Sequence, residues 1–299
     1  MRALRAIVTG GAGFIGSHLV DALVERGDEV VVVDDLSSGK REHLNPNARF
    51  EERDIRQGLG AADAEVVFHL AAQADVQTSV KRPDYDADVN VLGTVRVLEA
   101  ARASGAQVVF TSTGGAIYGE CDGPAGEDAP REPLSPYGIA KLCGEEYLRG
   151  WNRMHGSGNV VLRLANVYGP RQDAGLEGGV VAIFLERLAA AEETVIYGDG
   201  GQTRDFVYVG DVVQGLLAAA GRDGGVFNVG TGDETTILDL HRVCAAVAGV
   251  EREPRFEEAR LGDVRRSVLD ASLAARELGW RPQVGLEEGL RLTWQSLGE

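Results

Sequence analysis

Tyr137 and Lys141 stand four residues apart in the run Ser135-Pro136-Tyr137-Gly138-Ile139-Ala140-Lys141. On a helix, two side chains at that spacing share one face. A free tyrosine titrates near ~10. An adjacent ammonium favours the phenolate and makes the side chain a usable base near neutrality. Such a base suits removal of a proton from a hydroxyl while hydride leaves the same carbon. The spacing is also that of an ordinary surface pair, so it gains meaning only from its surroundings. Upstream lie three consecutive hydroxyls, Thr111-Ser112-Thr113, at the end of a predicted strand. In an open parallel sheet that end of a strand faces the ligand crevice.

The second constellation is Thr9-Gly10-Gly11-Ala12-Gly13-Phe14-Ile15-Gly16. Gly11, Gly13 and Gly16 fit G-x-G-x-x-G, and Gly10, Gly13 and Gly16 fit G-x-x-G-x-x-G. In a chain with 40 glycines either pattern alone is weak. Here it joins an apolar strand to an amphipathic helix, the context the motif needs. Glycines permit the turn and the close approach of a pyrophosphate, and the helix N-terminus offers unpaired N–H groups to the anion. Asp34 follows the second predicted strand, 18 residues after Gly16. That is close to the spacing of a carboxylate that accepts from the adenosine ribose hydroxyls. It would repel a 2′-phosphate, so NAD is expected over NADP. Asp34-Asp35 also reads as a solvated turn. Asp54-Ile55 after the third strand is placed near the adenine, with a simple loop nearly as good a reading.

Positioning these groups takes alternating strands and helices. Ala6–Thr9, Val30–Val33, Val66–Leu70, Gln107–Thr111 and Asn159–Leu164 read as strands. Phe14–Arg26, Val89–Ala103 and a helix from Pro136 to about Met154 lie between them. Val30–Val33 is a continuous apolar run, as in a strand buried on both faces. This alternation predicts a doubly wound parallel sheet. After Asn166 the rhythm changes: a helix over Val180–Ala191, a short strand at Val195–Tyr197, and a turn cluster at Gly198–Gly201. Strand then helix follow over Asp205–Ala220, and a strand over Val226–Val229. The expectation is an α/β chain of two interleaved units. Residues 1–165, joined by about 205–228, bind the cofactor; 166–204 and 229–299 form a smaller substrate-binding lobe.

The chain has 299 residues, a formal net charge of −16, 44% hydrophobic and 25% charged residues. An acidic balance disfavours nucleic acid and anionic membranes. Any anionic ligand must therefore be met by local cations or helix N-termini. No apolar run reaches the length of a membrane-spanning helix, and the N-terminus lacks the pattern of a secretory signal. Three scattered cysteines, Cys121, Cys143 and Cys244, read as free thiols of a reducing compartment, so a cytoplasmic location is expected. The five histidines show no ligand spacing, and no metal is expected.

Taken together, the Gly10/Gly13/Gly16 loop, Asp34, the hydroxyl cluster and Tyr137/Lys141 resemble the extended short-chain dehydrogenase/reductase family, of Rossmann type. The likeness covers essentially the whole chain. It extends to His69-Leu70-Ala71-Ala72-Gln73, Asn90-Val91-Leu92-Gly93-Thr94, Arg204-Asp205-Phe206-Val207-Tyr208-Val209 and Arg260-Leu261-Gly262-Asp263. Within the family it is nearest to UDP-glucose (UDP-galactose) 4-epimerases. The resemblance implies Thr113 on the sugar O4, with Ser112 as the fallback. Tyr137 would be the base, with Lys141 its partner on the nicotinamide ribose. It places Leu70, Ala71, Ala72, Gln73 and Asn90 by the cofactor, together with Phe14, Ile15, Asp35 and Ser112. Asn166, Val180, Val181, Tyr197, Arg204, Arg260, Asp263 and Ser267 would meet a nucleotide-diphosphate sugar.

Two departures stand out: Ala74 where galactose epimerases carry a lysine near the cofactor phosphates, and Ser267 where one branch carries a tyrosine beside the hexose. The implied reaction is inversion at C4 of a nucleotide-activated hexose through a transient 4-keto sugar, by a homodimer. Alternatives are a same-fold reductase, a decarboxylase, a 4,6-dehydratase, or an NAD sensor without chemistry. The dehydratase branch places an Asp-Glu pair after its threonine, where this chain has Gly114-Gly115.

Overall fold

The computed structural model describes residues 3–60, 63–175, 179–259 and 264–298. Its centre is a seven-stranded sheet. In chain order the strands are β1 (Arg5–Thr9), β2 (Glu29–Asp34), β3 (Arg49–Glu52), β4 (Val66–His69), β5 (Gln107–Thr113), β6 (Val160–Leu164) and Gly225–Val229. Their spatial order is Gly225–Val229, β6, β5, β4, β1, β2, β3, and every pairing is parallel. The doubly wound parallel sheet expected from the alternation is what forms. The chain winds outward from β1 to β3, then crosses back to β4, so a crevice opens where Gly10 leaves β1 and Leu70 leaves β4.

Both faces of the sheet are covered, which is why its strands are apolar throughout. Val8, Val32, Phe68, Val109 and Leu162 point to one side, where Leu19 and Leu23 of α1 (Phe14–Glu25) and Val212 and Leu216 of the helix Val209–Ala219 close over them. Ile7, Val33, Val67, Val108, Phe110 and Val161 point to the other, under Val97, Leu98 and Leu148.

That second face carries α2 (Val76–Lys81), α3 (Pro83–Ala87), α4 (Gly93–Ser104), the short turn α5 (Gly114–Ile117) and α6 (Pro136–His155). The helix expected over Val89–Ala103 begins earlier, at Pro83, and its stretch Asp88–Leu92 is wound as a π turn. Asn90 sits in that widened turn. Its amide bonds the backbone of Gln73 on both sides, donating to the Gln73 carbonyl at 2.9 Å and accepting from the Gln73 N–H at 3.0 Å. Single π turns inside α-helices are common at functional sites. β5 is also longer than expected, carrying pairing on through Ser112 and Thr113.

Beyond Asn166 the chain forms three small sheets, built from Asn166–Tyr168 with Phe206–Tyr208, Val195–Tyr197 with Arg255–Glu257, and Thr203–Arg204 between Thr235–Thr236 and Arg266–Ser267. Helices Val180–Ala189, Ile237–Ala248 and Leu286–Ser296 pack on a third apolar cluster that includes Phe184, Leu185, Ile196 and Leu240. Asp205 ties these pieces together. Its buried carboxylate accepts from the backbone of Thr231, Gly232 and Leu269 and from the Thr231 hydroxyl.

Candidate active site

A cleft of about 680 Å³ runs over the carboxyl ends of β1, β2, β4, β5 and β6 and on toward the smaller sheets. At one end lies the glycine loop. Gly10 has φ of 73°, and a Cβ on Gly16 would come within 2.0 Å of the Gly10 carbonyl oxygen. Both positions therefore exclude a side chain. The residue capping α1, Gly13, offers no side chain to the first turn, and that turn holds no acidic residue. The helix N–H groups face the cleft without protein competition for an anion.

Asp34 lies at the end of β2, buried, with Oδ2 accepting from Ala12 N–H at 3.0 Å and Oδ1 from Leu36 N–H at 2.8 Å. Burial raises its carboxyl above the usual range, while the Leu36 and Ala12 N–H bonds pull it back down. Each oxygen keeps a lone pair for a further donor, as a ribose hydroxyl would be. Asp35 is exposed and closes a turn onto Ser37 N–H. Asp54 lines the cleft, but its carboxylate is engaged by Arg56, which also reaches Asp88. The Arg56 bonds hold Asp54 below the usual carboxylate range. Ile55 is buried against the π turn's end, where it touches Gly93.

The floor between the two ends is Leu70, Ala71, Ala72 and Gln73. Behind it stands His69, fully buried. Thr94 donates its proton to the Asn90 carbonyl at 2.7 Å, so His69 Nε2–H donates to Thr94 Oγ1 at 3.0 Å. Nδ1 then accepts from the Thr9 hydroxyl at 2.8 Å, and Ala71 N–H donates to the same hydroxyl at 3.2 Å. Burial pushes His69 down to about 3, which fits this neutral tautomer. Asn90, expected at the cofactor, is buried and does not line the cleft; it acts through Gln73.

On the far side α6 brings Tyr137 and Lys141 to the cleft. Ser135 caps that helix by accepting from Gly138 N–H, and Pro136 takes its first position. Gly138 lets the helix approach the Ala116 carbonyl, which a Cβ would meet at 2.5 Å. Lys141 is 4% exposed and donates to the Thr111 carbonyl at 3.0 Å; its Nζ lies 6.0 Å from the centre of the Tyr137 ring. Burial lowers its ammonium to about 8, against the opposing pull of Asp86 and then Glu145. Thr113 lines the cleft at the end of β5. Ser112 donates to Glu145 at 2.5 Å, and Glu145 is held by the buried Arg163, so the Ser112 hydroxyl belongs to that network.

Asn166, Val180, Tyr197 and Arg204 line the end toward the small sheets. Val181 instead packs into the lobe core with Phe184 and Leu185, because successive helical positions cannot share a face. Ser267 is buried behind Gly115. A methyl at Gly115 would stand 3.5 Å from Asn166 Oδ1 and 3.9 Å from both Ser267 Oγ and Thr113 Oγ1; Ser267, expected at the substrate, does not itself line the cleft. Arg260 and Asp263 lie outside the described residues. Ala74 also lines the cleft, as do residues the sequence did not single out: Arg53, Tyr85, Gln172 and Gln202. They come from four separate segments with no local pattern, and only folding gathers them. Among the described residues no group of acidic, histidine or cysteine side chains could hold a metal ion.

A doubly wound sheet with a glycine loop at its switch point, a carboxylate after its second strand and a Tyr–Lys pair on the opposite wall defines a dinucleotide-binding fold of Rossmann type. Residues 6–230 match the model of the NAD dependent epimerase/dehydratase family, and the chain belongs to that family. It is 48% identical over 304 residues to the UDP-glucose 4-epimerase of Mycolicibacterium smegmatis, covering 97% of each chain. Among solved structures it superimposes on the UDP-glucose 4-epimerase of Thermotoga maritima with UDP-glucose, with a TM-score of 0.97 and 49% identity over 99% of each chain. The UDP-glucose 4-epimerase of Thermus thermophilus in complex with NAD gives 0.91 and 42%, again over 99% of each.

Proposed function

We propose that this protein inverts C4 of a nucleotide-activated hexose of the UDP-glucose/UDP-galactose type, using bound NAD and no net redox change. The observation that carries the reading is one continuous cleft that holds the glycine loop and Asp34 at one end and Tyr137, Lys141 and Thr113 beside Asn166 and Arg204 at the other. The names of the most similar relatives support it.

The pocket fits the cofactor. Gly10 and Gly16 pack so closely on backbone that no Cβ fits, which holds the loop tight at the start of α1, and Asp34 keeps acceptor capacity for a ribose. When bound, NAD supplies the acceptor and donor of hydride that makes reversible oxidation at C4 possible. Tyr137, as phenolate, takes the proton of the sugar 4-hydroxyl and later returns it. Thr113 bonds the same oxygen and orients it. Lys141, charged and held by the Thr111 carbonyl, stabilises the phenolate. Inversion requires one carbon to present both its faces in turn. The nucleotide must then be gripped while the sugar turns; Arg204 and Asn166 serve the grip.

A 4,6-dehydratase reading is disfavoured at Gly114. A Cβ there would lie 2.5 Å from Leu269 Cδ1, so the Asp of that branch does not fit without repacking. The enzyme is placed in a reducing compartment, consistent with three free cysteines, and the described chain has no helix long and apolar enough to cross a membrane. We place it in the cytoplasm as a homodimer joined through α6 and its neighbours.

The test is proton NMR of the purified protein with UDP-galactose, UDP-N-acetylglucosamine, UDP-glucuronate and dTDP-glucose, without added cofactor. The 4-epimer of one of them is expected to accumulate. No turnover of any, with NAD added, would overturn the assignment.

A further inference from the structure

We propose that residues 169–173 form a strap pinned by ion pairs across the cofactor end of the cleft, and that these pins set how slowly the dinucleotide leaves. The proposal rests on the binding of NAD and not on the chemistry performed with it.

The strap follows Asn166 and Val167, which line the cleft, and its own Gln172 lines it again. The opposite wall is the glycine loop with the start of α1 and the turn after β2, where Gly13, Phe14, Asp34, Ser37 and Ser38 line the same cleft. Three tethers join the two walls. His18 of α1 donates from Nε2 to the Pro170 carbonyl at 2.9 Å. Arg171 meets Asp21 of α1 at 2.8 Å, and Asp21 is steadied by Asn45, which donates to it at 2.7 Å. Lys40 meets Asp173 at 2.8 Å. Lys40 is itself anchored, since its N–H donates to the Ala12 carbonyl of the glycine loop at 3.0 Å. The strap is thus fastened to α1 and to the segment that flanks the glycine loop, where the dinucleotide's phosphates would meet the helix N–H groups.

Left to itself the strap is not relaxed. Arg171 has φ of 67°, in the left-handed region that a residue with a side chain disfavours. Gln172 donates from Nε2 to the Val167 carbonyl at 3.1 Å, but its Oε1 is buried and has no hydrogen-bond partner among the described residues. Its amide lies tight on Gly179, where a Cβ would meet Nε2 at 2.4 Å. A strained backbone and an orphaned acceptor both cost free energy. Those costs favour release of the strap, and the tethers oppose them. A single exposed ion pair adds little. Here the paired side chains are only 28–41% exposed, and both pairs act on the same short segment beside a hydrogen bond. A closure held in this balance opens before its ligand departs.

The test loads the protein with NADH, mixes it with excess NAD and follows the loss of bound-NADH fluorescence, with no sugar nucleotide present. Lys40→Asp sets like charges against each other and should release NADH on the order of tenfold faster. Adding Asp173→Lys to Lys40→Asp restores the pair with its ends exchanged and should return release toward the wild-type rate, a rescue that repaired packing alone would not give. Release from Lys40→Asp at the wild-type rate, or no recovery in the exchanged pair, overturns the proposal. If Lys40→Asp does not fold, Lys40→Met with Arg171→Met removes both pins without repulsion. That variant should release faster than wild type and respond less to added salt; a rate and salt response equal to those of wild type overturn the proposal. NADH that does not bind at all would remove the cofactor and the strap's role together, and this is seen before any release is timed. Inactivity on every nucleotide sugar would sink the epimerase reading alone.

Discussion

A lysine taken out of water tends to lose its proton, and a tyrosine in water keeps its own. Placed side by side in one cleft, each residue changes what the other can do. Burial lowers the Lys141 ammonium to about 8 against the pull of Asp86 and Glu145, and in the proposed mechanism its charge makes Tyr137 a workable base. Tyr137→Phe removes the phenolic oxygen without disturbing the glycine loop or Asp34. It should lower kcat by about 10²- to 10⁴-fold, with as much NAD in the purified protein as in wild type. Turnover near the wild-type rate would remove Tyr137 from the role of base. The pair itself is legible from its spacing. The carbonyl that holds Lys141 is not, because Thr111 sits 30 positions before it and only the packing of α6 on the sheet brings them together.

Among the elements, the cleft floor is bolted to the sheet by His69. The bolt links β1 through Thr9, β4 through His69 itself, and α4 through Thr94. Unfolded, this imidazole takes up a proton near 6.5; in the fold it does so only at about 3. Between those values the unfolded chain binds more protons. The contribution of His69 to stability is therefore complete above the upper value and is lost as pH falls toward the lower one. Urea unfolding from about pH 7 down to about pH 5 should show a decline of up to about 1.4 kcal/mol per pH unit from this group. The decline should be flatter in His69→Gln. Equal slopes in the two proteins would show that the imidazole is not the group that titrates. The strand and the apolar run around His69 are readable from sequence. The early start of the helix at Pro83 and its π turn are not, because they follow from where Asn90 must reach.

For the molecule as a whole, the outer face of α6 carries Ile139, Tyr147 and Met154 exposed, next to exposed Val76 and Val80 of α2 and Leu92 of the π turn. Large apolar side chains gathered on one face mark an association surface. A second copy of the chain, applied through the same helices, would cover them. The double variant Ile139→Asp, Tyr147→Asp should sediment at half the mass of wild type in analytical ultracentrifugation and still retain NAD. An unchanged mass would place the contact elsewhere.

Along the chain alone, what can be read is local and periodic. The apolar runs of β1, β2, β4, β5 and β6 demand burial on both faces. The glycines at 10, 13 and 16 follow a strand and open a helix, and Tyr137 and Lys141 share a helical face. Each depends on close neighbours in the chain, where backbone geometry links sequence to space directly. Which of the candidate polar groups turn toward the cleft was settled by tertiary packing. It committed Ser112 to Glu145, Asp54 to Arg56 and Val181 to the lobe core. It also brought Gln172, Gln202, Arg53 and Tyr85 to the cleft. A side chain's partner is chosen by the packing of whole elements across the sheet, and no spacing along the chain encodes that choice.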